Sequence, residues 1–138
     1  EGTSFEIGRG IKLRGGQDVA IIACGIMVHK SLEAAAILAG QGIEASVIDM
    51  HTIKPLDREM VLAAARETGA ILTVEEHSII GGLGSAVCEL VSEFQPVPVK
   101  RMGLEDTFGQ SGSPDELMNY YGLTVEKIVD NIHMLIHK

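Results

Sequence analysis

Residues 18–24 read Asp18-Val19-Ala20-Ile21-Ile22-Ala23-Cys24. The apolar run from Val19 to Cys24 has no polar alternation, so an extended chain here is apolar on both faces. That is the pattern of a strand in a parallel sheet covered by helices on both sides. A helix follows from about Val28 to Gly40, with Val28, Leu32, Ala35, Ala36 and Ala39 as a single stripe and Gly42 as the residue beyond its end. Residues 44–50 repeat the strand pattern. Pro55-Leu56-Asp57 then opens a helix with Asp57 as its N-cap, and that helix stops at Gly69.

Residues 70–75 form the next strand. After a loop over residues 76–84, a helix from Ser85 to Phe94 turns Val87, Leu90, Val91 and Phe94 inward. Residues 96–102 are a further strand, which Pro96 and Pro98 confine to a sheet edge, where a missing N–H is tolerated. Two helices close the chain. Ser113-Pro114-Asp115-Glu116 combines a capping box with Pro at the first helical position, and Thr124 caps the last helix, whose apolar face is Val125, Ile128, Val129, Ile132, Leu135 and Ile136. Ile11-Lys12-Leu13-Arg14 alternates like a short antiparallel edge strand. Strands alternating with helices predict an α/β fold with a largely parallel sheet.

The 138 residues suit one domain, 1–138, and 46% hydrophobic with 22% charged residues is a globular composition. A net charge of −8 argues against a nucleic-acid or anionic-membrane surface, and no apolar run is long enough to cross a bilayer. The chain opens on Glu1-Gly2-Thr3, which reads as a fragment or processed chain with no signal peptide. Cys24 and Cys88 sit in apolar stretches and read as buried, reduced thiols of a cytoplasmic protein.

Ligands of such a sheet bind beyond the carboxyl ends of its strands. There Gly81-Gly82-Leu83-Gly84-Ser85 leads into a helix and would expose N–H groups to an anion. A dinucleotide fingerprint needs another glycine, where Ala86 and Val87 stand, so close backbone approach or a subunit contact is the better reading. Free N–H groups are expected in a crevice between residues 25–27 and 77–84, and Gly84→Val is expected to harm assembly more than folding. Glu75, Glu76 and His77 form a polar cluster that reads as a solvated or interfacial loop. His133 and His137 are one helical turn apart, but no carboxylate nearby completes a metal site. His29 and His51 stand alone, and Ser111 lacks the strand-to-helix elbow of a nucleophile turn.

An ordered set of motifs runs through the chain: residues 5–10 (Phe-Glu-Ile-Gly-Arg-Gly), 19–25, Thr52-Ile53-Lys54-Pro55-Leu56-Asp57, residues 74–86 around Gly81-Gly82-Leu83-Gly84-Ser85, Phe108-Gly109-Gln110-Ser111-Gly112 and Tyr121-Gly122-Leu123-Thr124. It resembles the C-terminal domain of transketolases, above all those split into two subunits. The relatives are 1-deoxyxylulose-5-phosphate synthase and the beta subunits of 2-oxo acid dehydrogenases. The 108–112 loop, the 121–124 motif and His77 favour transketolase.

The resemblance implies a three-layer αβα sandwich with a five-stranded mixed sheet of order 1-3-2-4-5 and an antiparallel first strand. A local rule disagrees, since Gly15-Gly16 between two strand-like runs reads as a hairpin turn. The resemblance also implies two-carbon ketol transfer between sugar phosphates by a parent enzyme using thiamine diphosphate and Mg. The G-D-G…N-N diphosphate motif and the pyrimidine-binding domain are absent from the sequence. No catalytic, cofactor-binding or metal residue is therefore assigned here, and the domain is expected to be inactive alone. Its implied partners are the upstream pyrimidine-binding domain and a second protomer, in a homodimer or a split-subunit heterotetramer. The alternatives are the corresponding domain of a 1-deoxyxylulose-5-phosphate synthase, or an independent anion- or nucleotide-binding module using the Gly81–Ser85 turn.

Overall fold

The computed structural model describes residues 8–78, 82–104 and 122–137. The order is β1 (Ile11–Arg14), β2 (Val19–Ala23), α1 (Met27–Gly40), β3 (Ala45–Asp49), α2 (Arg58–Thr68), β4 (Ile71–Ser78), α3 (Leu83–Phe94), β5 (Val99–Leu104) and α4 (Val125–His137). The five strands form one sheet in the order β1-β3-β2-β4-β5. β1 runs antiparallel to β3, and the other pairings are parallel.

β2 lies at the centre, and every residue from Val19 to Ala23 is fully buried. Its alternate side chains feed two cores. Val19, Ile21 and Ala23 pack with Ala34, Ala35 and Leu38 of α1 and Ile128 and Ile132 of α4. Ala20, Ile22 and Cys24 pack with Val61, Ala64 and Ala65 of α2 and Val87, Leu90 and Val91 of α3. The double covering read from residues 18–24 is thus the three-layer sandwich itself. The motif at 113–116 and the helix expected after it lie outside the described residues.

Several boundaries and faces differ from the sequence reading. The buried face of α1 is Met27, Ser31, Ala34, Ala35 and Leu38, one position away from the expected stripe, and Ala36 is exposed. Ser31 conceals the true stripe because it is polar, yet its hydroxyl donates to the Met27 carbonyl at 2.7 Å, so it is buried without an unmet hydrogen bond. Phe94 does not point inward. It is 54% exposed, and the Arg58 guanidinium lies 4.9 Å from its ring centroid. Cys88 is half-buried rather than buried. Gly15-Gly16 is no hairpin turn, because β1 pairs with β3 and not with β2. A Cβ on Gly16 would stand 2.6 Å from the Glu44 and Ala45 backbone, so the glycine serves close passage over the start of β3.

Candidate functional site

The connection direction reverses between β2 and β4, so the crevice of a doubly wound sheet opens there. The parallel strands β2, β3 and β4 all end at this carboxyl edge. β4 continues further than the sequence suggested, and the stretch 76–78 is strand rather than loop. Its alternation decides what happens next. Ile71 faces the α2/α3 layer, so Thr73 and Glu75 face it too.

Glu75 is fully buried. Its Oε1 accepts the Leu83 N–H and its Oε2 accepts the Gly84 N–H, both at 2.8 Å. α3 therefore begins at Leu83, not at Ser85, and its first turn is closed by a carboxylate from the strand below. The N-cap is Gly82, which has no capping side chain, and its carbonyl accepts the Ala86 N–H at 3.1 Å. A carboxylate accepting two main-chain donors at a helix N-terminus gains from both hydrogen bonds and dipole. The two N–H groups expected to be free for an anion or a partner are thus taken from within.

Gly84 is packed inside the domain as well. A Cβ there would lie 2.8 Å from Cγ and Cδ of Arg101 and 2.9 Å from Oγ1 of Thr73. Thr73 and Arg101 are register partners on β4 and β5, so the first turn of α3 rests directly on the sheet. Substitution of Gly84 is therefore expected to act on folding, where the sequence reading expected assembly to suffer more. Ser85 is half-buried on the same turn. Gly81, the remaining residue of the expected site, lies outside the described residues.

Carboxylates recur around the crevice. Glu76 lies over Gly25, where its Oε2 would be 2.8 Å from an added Cβ, one residue ahead of the N-cap of α1. Asp57 caps α2, with Oδ1 accepting the Met60 N–H at 3.1 Å, as the sequence implied. Burial raises the carboxyl pKa of Asp49 and nearby His51 opposes the rise. The Cys24 thiol is pushed up to about 11, first by burial and then by the charges of Glu75, Glu76 and Asp49. It is a protonated packing residue at neutral pH, not a nucleophile. Burial also raises Cys88, against the pull of Arg101.

Among the described residues, the helix starts at this edge are a poor fit to a diphosphate. Each of the three helix starts has one of the chain's own carboxylates beside it, and a diphosphate would meet like charge there. Among the described residues no three His, Cys, Asp or Glu side chains stand close enough to hold an ion. The His133 and His137 rings stack at 5.4 Å with planes 24° apart, so their lone pairs lie in nearly parallel planes and do not converge. His133 Nε2 instead meets Gln41 Oε1 at 2.7 Å, joining α4 to the end of α1. His29 is exposed beside Glu33. A groove of about 320 Å³ is lined by Leu56, Ala86 and Leu90 together with Arg58, Glu89 and Glu93, so its one cation stands among two carboxylates.

The contact the sequence reading missed is that of Glu75. Its signal was the period-two pattern Ile71, Thr73, Glu75, which aims the carboxylate at the helix following the glycines.

Residues 8–128 match the family model described as the transketolase C-terminal domain. The chain is 50% identical over 133 residues to the 6-deoxy-6-sulfo-D-fructose transketolase subunit SqwH of a Clostridium species, covering 96% of this chain and 41% of that protein. It is 46% identical over 127 residues to 1-deoxy-D-xylulose-5-phosphate synthase of Heliobacterium modesticaldum, covering 91% and 20%. A solved split-gene transketolase, an inactive beta4 tetramer, matches with a TM-score of 0.93 and 50% identity over 98% of this chain and 44% of that one. A transketolase variant from Pichia stipitis matches with a TM-score of 0.71 and 25% identity, over 93% and 18%. The chain thus spans less than half the length of these relatives. The sheet order, the antiparallel first strand and the match over residues 8–128 agree: the chain belongs to the transketolase C-terminal domain family.

Proposed function

We propose that this chain is the C-terminal domain of a thiamine-diphosphate-dependent transketolase and that its own role is structural. In this reading the parent enzyme moves a two-carbon ketol unit between sugar phosphates in the cytoplasm. The domain packs against a pyrimidine-binding domain and extends the contact with a second protomer, in a homodimer or a split-subunit heterotetramer. Neither thiamine diphosphate nor Mg is held by this chain. The observation that carries the structural role is the Glu75 carboxylate across the Leu83 and Gly84 N–H groups, which fills from inside the place where an anion would sit.

The covalent chemistry in such an enzyme belongs to the cofactor, and what a domain of this kind adds is the placement of its neighbours. Calorimetric titration of the domain with thiamine diphosphate and Mg is expected to show no binding. A dissociation constant at or below about 1 μM, worth about −8 kcal/mol, overturns the structural reading.

The second reading is the same domain in a 1-deoxyxylulose-5-phosphate synthase, supported by the 46% identity to the Heliobacterium enzyme. Product analysis of the parent enzyme separates the two, as ketol transfer to a sugar phosphate or formation of 1-deoxyxylulose 5-phosphate. The relative acting on a sulfosugar makes a sulfonated ketose the second donor to test.

A further inference from the structure

Asp57 does more than cap a helix. While Oδ1 accepts the Met60 N–H, Oδ2 accepts the N–H of Gly10 at 2.7 Å, from 47 residues earlier in the chain. The carboxylate is nearly enclosed, with 11% of its side chain exposed, and Arg9 Nε stands 4.0 Å from Oδ2. Two residues before Gly10, Gly8 has φ +83°, and a Cβ there would lie 3.1 Å from Pro55 Cγ. Residues 8–10 thus run close along residues 55–57 and are tied there by the Gly10 hydrogen bond before β1 begins to pair at Ile11.

Capping alone does not call for this residue. Ser, Thr and Asn cap about as well as Asp. Among these, Asp alone brings two acceptor oxygens, and here both are used on segments far apart in sequence.

We propose that Asp57 is a positioning residue that sets the direction in which the polypeptide ahead of Gly8 leaves the domain, by tying that strand of chain to the loop on the carboxyl edge. The partner so positioned is the preceding domain of the same protein, and this half of the inference rests on the reading given under Proposed function.

The test uses the intact protein that carries this domain. Asp57→Ser keeps one oxygen for the α2 cap and is too short to reach Gly10. Hydrogen exchange is expected to quicken about tenfold or more across residues 8–11, while the α2 amides stay within about twofold of the parent. Asp57→Ala is expected to quicken both. Unchanged exchange across 8–11 in Asp57→Ser overturns the tie, and so does equal loss of protection in α2. Small-angle X-ray scattering of the same variant is expected to show a larger radius of gyration at unchanged mass. An unchanged radius with quickened exchange overturns the orienting role. Exchange depends only on the tie within the domain, whereas the functional reading is tested by cofactor titration and by the parent enzyme's products, so the two failures are distinguishable.

Discussion

α2 and α3 cover the same face of the sheet and begin at the same edge, yet their first turns are closed in opposite ways. α2 is capped by Asp57, three residues before the N–H it accepts. α3 has glycine at its N-cap and borrows Glu75 from β4, eight and nine residues earlier and fully buried. A cap of the first kind is a property of a short peptide. One of the second kind exists only once strand and helix are packed, so it measures the tertiary structure.

The contrast makes its strongest prediction at Glu75. Glu75→Ala leaves two buried N–H groups without their acceptor and opens a void, and is expected to cost about 3–5 kcal/mol in denaturant unfolding. A cost no larger than that of Asp57→Ala breaks the distinction. Gly84→Val drives methyl groups into Arg101 and Thr73 and is expected to cost about 1–3 kcal/mol, read as a lower midpoint with an unchanged denaturant slope. Normal stability together with failed assembly would return Gly84 to the interface. Asp57→Ala is expected to cost about 0.5–2 kcal/mol through the lost cap.

The smallest effect is on pH dependence at Cys24. Its folded pKa of about 11 exceeds the ordinary 9.0, so the unfolded chain loses the proton first. Stability is therefore expected to be unaffected below about pH 9 by this group and to fall as pH rises from 9 toward 11. Cys24→Ala, compared with the parent across that window, should flatten the fall. An identical slope in both would show that the thiol's surroundings do not penalise its ionisation.

What the sequence carried and what it hid divide along the same line. Val19–Cys24 announced a doubly covered central strand because burial on both faces leaves a continuous apolar run. Asp57 and Gly69 marked the two ends of α2 because both act within a few residues, the glycine by adopting a left-handed conformation. The sheet order needed the resemblance, since Gly15-Gly16 pointed locally to a hairpin that Gly16's passage over Glu44 and Ala45 replaces. At the crevice the glycines were visible but their occupant was not. Nothing in the spacing of Gly82, Leu83 and Gly84 says whether an anion comes from solution or from the chain. Only the packing of β4 under α3 brings Glu75 beneath them. Ser31 misled for a related reason, because its polarity hid a hydrogen bond one helical turn back.

The pairing of β1 also has a temporal side. A ribosome delivers Ile11 long before Asp49, its register partner, and longer still before Asp57, which holds Gly10. β2, by contrast, finds β3 after a single intervening helix. The earliest of these strands therefore waits unpaired while β2 and α1 are made, and its loop-closure entropy is met only after β3 exists. Any polypeptide made ahead of residue 8 stays tethered to an unfastened strand until residues 49–57 have emerged, and docking that depends on this tie waits for them.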